Sequence, residues 1–154
     1  MNIIDVTLHD DCPEPAWLPE IEPFLQAVLG ALGIDAWDLS VLFCGDSFIR
    51  ELNKQYRAID APTDVLSFEN GGTYTDETGT ERIGAGDIVI SIETLHKNCT
   101  AFAVALHEEL SRLLIHGVLH LSGFDHETND FATEPMLVQQ EQLLEKLRIA
   151  RQQA

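Results

Sequence analysis

Residues 116–126 read HGVLHLSGFDH, which places three of the chain's six histidines, His116, His120 and His126, in one short stretch. A spacing of four on a helix puts His116 and His120 on one face. Gly123 is suited to reversing the chain, so that His126 returns towards that face. Three neutral imidazoles arranged in this way offer three corners of a tetrahedron and leave the fourth to water. That is the pattern of a catalytic zinc site, not of a closed structural one. The plainer alternative is a helix with polar rings along its wet edge, and the match to ligand spacing favours the metal. The same spacing occurs in metzincin zinc peptidases, whose general base is a glutamate directly after the first histidine. Gly117 stands in that place here. A glycine neither accepts a proton nor polarises water, so a peptidase is disfavoured.

Outward from this stretch, apolar periodicity predicts a long helix over about 101–121, closed by Gly123. A last helix is expected over 134–148, with Pro135 in its first turn. Residues 2–8 (NIIDVTL), 38–44 (DLSVLFC), 63–69 (TDVLSFE) and 86–92 (GDIVISI) read as strands. Residues 21–32 suit an amphipathic helix ending at Gly33, and Asp46 or Ser47 suits the cap of a helix carrying FIRELNKQY. The turn-rich segment 70–86 (NGGTYTDETGTERIGAG) predicts an exposed hairpin or a mobile loop. Strands interleaved with helices imply one α/β (α+β) domain over residues 1–154. Its expected form is a small mixed four-stranded sheet packed with helices, carrying a metal-site helix like that of metalloproteases.

With 26 acids against 9 bases, the formal charge of −17 repels nucleic acid at long range. A polyanionic substrate therefore has to be held by a local site. No apolar run approaches a membrane span, and the first residues (MNIIDVTLHDDCPEP) have neither the basic start nor the apolar centre of a secretory signal. Cys12, Cys44 and Cys99 contain no C-x-x-C pair and read as reduced, buried thiols. The expected location is cytoplasmic.

HGVLHLSGFDH closely resembles the H-G-x-L-H-L-x-G-[YF]-D-H signature of the YbeY family, zinc-dependent endoribonucleases acting in ribosomal RNA maturation. YRAIDAPTDVLSF (56–68) is similar to that family's Y-R-x-x-D-x-P-T-D-V-L-S-F segment, and GDIVIS (86–91) to its G-D-I-x-I-S strand. EELSRLLIHG fits the helix leading into the signature, and MLVQQE (136–141) resembles the M-x-x-x-Q-E tail helix. The match spans most of residues 50–145.

The resemblance implies one Zn2+ per chain on His116, His120 and His126. It implies cleavage of single-stranded RNA, specifically ribosomal RNA at the 3′ end of 16S rRNA, with a part in ribosome quality control. The partners it implies are the ribosomal subunit or ribosomal proteins. On residue type alone, Arg57 reads as a surface arginine paired with a carboxylate; in the resemblance it aligns with the family's proposed catalytic arginine, a phosphate clamp. Asp87, at the start of its strand, suits either a role in orienting a ligand histidine or acting on the attacking water, or a plain cap or turn.

Thr63, Asp64 and Ser67 are assigned to strand and turn chemistry, and His9, His96 and His107 fall outside the ligand pattern. The chain departs from the family at Ala58, Ile59 and Ala61, where basic residues are frequent, and at Phe124, often a tyrosine. Two rival readings stand beside the nuclease. One is a non-catalytic, metal-binding ribosome-assembly factor whose acidic surface docks on basic ribosomal proteins. The other, disfavoured by Gly117, is a zinc peptidase.

Overall fold

Strand β2 (Trp37–Cys44) alternates its side chains, so Leu39, Val41 and Phe43 turn to one face and Leu42 and Cys44 to the other. In the computed structural model, which describes residues 1–123 and 135–149, β2 is the interior strand between β1 (Ile3–Leu8) and β4 (Glu81–Ser91), parallel to both. Strand β3 (Val65–Thr75) pairs antiparallel with β4 and forms the other edge, in the order β1-β2-β4-β3. The mixed four-stranded sheet is the one expected.

Helix α1 (Ile21–Ala31) buries Ile21, Leu25, Val28 and Leu29 completely, the i, i+4, i+7, i+8 stripe of an amphipathic helix. Each such side chain contributes about 1.5–3 kcal/mol relative to exposure. This stripe shares the main core with Val41, Phe43, Ile88 and Ile90 of the sheet and with Leu114, Ile115 and Val118. A smaller cluster of Cys44, Ile49, Leu66 and Val89, joined by Leu42, Phe48 and Phe68, fills the opposite face beneath α2 (Asp46–Arg57).

Neither Asp46 nor Ser47 caps α2. The N-cap is Gly45, and Asp46 is already helical. The orphan donors of the first turn go to remote carboxylates: Gly45 N–H to Asp11 Oδ1 (3.0 Å), Phe48 N–H to Asp11 Oδ2 (3.4 Å) and Asp46 N–H to Glu93 Oε1 (2.9 Å). A Cβ at Gly45 would lie 2.5 Å from that Glu93 oxygen, so a capping side chain and this arrangement exclude one another.

The helix expected over 101–121 is two helices. α3 (Ile92–Phe102) starts directly after β4, with the Ser91 hydroxyl accepting from Thr94 N–H. It ends where Ala103 turns left-handed (φ 54°), and α4 (Leu106–Leu121) follows. An alanine in that region costs about 1–2 kcal/mol and leaves no glycine or proline to mark the break. Segment 70–86 is a hairpin: Asp76 Oδ1 accepts from the N–H groups of Thr78 and Thr80, and Gly79 supplies the positive φ of the turn. Helix α5 (Pro135–Lys146) begins at its proline, as expected. Among the described residues, no helix is long and apolar enough to cross a membrane.

Candidate functional site

Helix α4 lies against the sheet at Gly117. A Cβ there would sit 2.8 Å from Cδ1 and 2.9 Å from Cγ1 of Ile88, and Ile88 is fully buried. A side chain at position 117 would fit only if Ile88 shifted. This contact accounts for the absence of a glutamate at position 117, since its stem would be driven into the sheet.

The flanking rings of His116 and His120 project from α4 into a cleft of about 280 Å³ that they share with Arg57, Val65, Leu66 and Ser67. Their centroids are 6.1 Å apart and their planes differ by 15°. The edge strand β3 supplies the facing wall. Arg57 arrives from the opposite side of the sheet because α2 ends there, closed by Ala58 in a left-handed conformation (φ 58°).

Among the described residues, Arg57 has no carboxylate partner, whereas Arg50, Arg82, Lys97, Arg112 and Arg148 each hold one. Among the described residues that line the cleft there is likewise no carboxylate. In a chain of −17, the described walls of this cleft offer an anion donors without a like charge.

His116 Nδ1 lies 2.7 Å from Oε1 of Gln140 on α5. Gln140 Nε2 donates to Glu141 Oε2 (3.1 Å), and Arg112 on α4 grips both Glu141 oxygens through Nε and Nη2 (3.0 and 3.2 Å) while Nη1 donates to Glu109 (2.6 Å). The sequence reading overlooked Gln140. Its signal was a polar residue on an apolar stripe: the buried positions of α5 are Met136, Leu137, Gln140, Leu143 and Leu144. Ser67 was likewise assigned to strand chemistry, yet it lines the cleft.

Asp87 is not brought to the cleft. It is exposed on β4, and alternation places it on the face of Val89, opposite the face on which Ile88 meets α4. Asp64 has a turn role, its Oδ1 accepting from Val65 N–H (2.8 Å) and its Oδ2 from Asn98 (3.3 Å). His126, with Phe124, lies outside the described residues. Among those described, no three His, Cys, Asp or Glu side chains converge on one point; His116 and His120 are the described members of the expected ligand set.

The donors fit zinc. Imidazole is a ligand type that suits it, and the two rings lie side by side, their planes 15° apart, on the wall of one cleft.

Comparison with known proteins identifies the family. The family model described as Endoribonuclease YbeY matches residues 5–148. A Treponema pallidum protein named Endoribonuclease YbeY is 48% identical over 97% of this chain and 92% of its own length. A relative of the same name from Treponema denticola is 49% identical over 94% and 93%, and one from Borreliella burgdorferi 45% over 80% and 82%. A solution structure of a Thermotoga maritima protein superposes with a TM-score of 0.64 at 27% identity, covering 94% of this chain and 88% of that one. With its helix–sheet contact at Gly117, its paired histidines and its match along almost the whole length, the chain belongs to the endoribonuclease YbeY family.

Proposed function

We propose that the chain is a zinc-dependent, single-strand-specific endoribonuclease acting on ribosomal RNA, at the 3′ end of 16S rRNA, and so in ribosome quality control in the cytoplasm. The observation that carries the reading is the cleft itself: among the described residues, two imidazoles face an arginine without a carboxylate partner, and no acid lines the wall between them. His116, His120 and His126 would hold one zinc ion, which would supply Lewis-acid polarisation of a phosphate oxygen or lower the pKa of water there. Arg57 binds the phosphate, fixes its orientation through the guanidinium fork and offsets charge that develops on it during cleavage. Neither Gly117 nor Asp87 supplies a carboxylate base to the cleft. The acidic remainder of the surface favours docking on basic ribosomal proteins, which would deliver RNA that the chain attracts poorly by itself.

The test is cleavage of a single-stranded RNA by the purified protein, with and without chelator. Activity should vanish on chelation, return with zinc, and be absent from His120→Ala. RNA cleavage that persists at full rate after complete metal removal would overturn the metal role. Casein hydrolysis sensitive to chelator would revive the peptidase.

A further inference from the structure

Gln140 is 2% exposed, a polar side chain buried between α5 and α4. Its two ends are not interchangeable. Glu141, gripped through both oxygens by Arg112, can only accept, so the neighbouring end of the Gln140 amide is its NH2 group. The carbonyl oxygen therefore faces His116 Nδ1 at 2.7 Å. A carbonyl also only accepts. When the His116 ring is neutral, its hydrogen is thus on Nδ1 and its lone pair on Nε2.

We infer that Gln140 is a positioning residue that holds His116 in the Nδ1–H tautomer and so presents Nε2 as the ligating nitrogen. Arg112 and Glu141 set the orientation of the amide. The inference rests on the metal reading above and deepens it: the network reaches from a salt bridge between two helices to a ring nitrogen in the cleft. It also accounts for a buried glutamine on an otherwise apolar stripe, where leucine would pack without needing a partner.

Two measurements on the full chain test it. Long-range proton–nitrogen correlation spectra of the metal-free protein should show the hydrogen of His116 on Nδ1, and in Gln140→Leu it should move predominantly to Nε2. Zinc affinity, read by competition with a chromophoric chelator, should fall about ten- to a hundred-fold in Gln140→Leu. Gln140→Glu keeps an acceptor oxygen and should recover part of the loss. Gln140→Met, unbranched and of similar length, replaces the leucine variant if thermal melts show that leucine does not fold. A wild-type His116 with its hydrogen on Nε2, or folded Gln140→Leu and Gln140→Met proteins that bind zinc as wild type does, would overturn the role. Wild-type protein that takes up no zinc would overturn the metal reading beneath it and this role together, while the spectra would still report the glutamine contact.

Discussion

Two polar networks hold the helices of this fold in place, and they end differently. At the start of α2, the carboxylates of Asp11 and Glu93 accept from backbone N–H groups, while Asp46 accepts from Ser91 Oγ (2.7 Å), Thr94 Oγ1 (2.5 Å) and Lys97 Nζ (2.7 Å). That network closes on the protein itself. Between α4 and α5, the chain Glu109–Arg112–Glu141–Gln140 runs to His116, beside a His120 whose buried Nδ1 has no partner. That network opens onto a cleft. A closed network satisfies donors that folding itself leaves orphaned; an open one presents side chains to something the chain does not contain. The second kind marks function, and the distinction rests on partners, not on how polar or acidic the residues are.

Arg57 gives the largest effect with which to break this comparison. If it belongs to the open side as a phosphate clamp, Arg57→Ala should keep fold and zinc content and lose about a hundred- to a thousand-fold in RNA cleavage rate, the cost of roughly 2.7–4 kcal/mol of transition-state stabilisation. Arg57→Lys should restore only part, since it keeps the charge without the planar fork. A surface arginine would cost under about 1 kcal/mol and leave the kinetics alone. Wild-type rates in a folded, zinc-loaded Arg57→Ala protein would move Arg57 out of the site.

Gly117 comes next, because it sets how close the open site lies to the sheet. Gly117→Ala gains about 1 kcal/mol of helix propensity but forces a methyl group against Ile88, an overpacking that costs about 1–3 kcal/mol. A lower urea midpoint with an unchanged slope is expected, with reduced cleavage as α4 is displaced. A midpoint at or above wild type would show that the contact relaxes freely and that the glycine has another cause.

The closed and open networks were unequally legible. Strand alternation and the i, i+4 histidine pair depend on local periodicity, so the sheet, α1 and the face shared by His116 and His120 could be read directly. The break at Ala103 could not, because tertiary packing holds an alanine where turn chemistry favours glycine. Capping of α2 by Asp11 and Glu93 was hidden for a similar reason: the acceptors are 34 and 47 residues from the donors they serve. Asp87 looked like a site residue because it begins an apolar strand, yet side-chain parity turns it away from α4. Gln140 was visible as a polar interruption of an apolar stripe. Without the fold, nothing connected it to His116.

The smallest effect sharpens the comparison through pH. At Asp46 burial pulls the carboxyl pKa upward, but Lys97, Thr94 and Ser91 outweigh it and hold it below the ordinary value. At Glu109 burial wins over Arg112 and pushes the pKa up. The signs are therefore opposite. A lowered carboxylate contributes stability that is present above the unfolded pKa of about 4 and is lost as pH falls through the folded one. A raised carboxylate makes stability decline as pH rises from the unfolded value through the folded one, because there the native state binds more protons. Asp46→Asn keeps an oxygen for Ser91 and Thr94 but loses the Lys97 partner, so at neutral pH it should cost about 1 kcal/mol. Much of that pair is solvent-screened, the lysine being 69% exposed. Below pH 4 the variant and wild type should converge in urea midpoint as the wild-type carboxylate takes up its proton. Parallel pH profiles down to pH 2 would show that Asp46 does not belong to a closed, charge-dependent network, and would remove one side of the contrast.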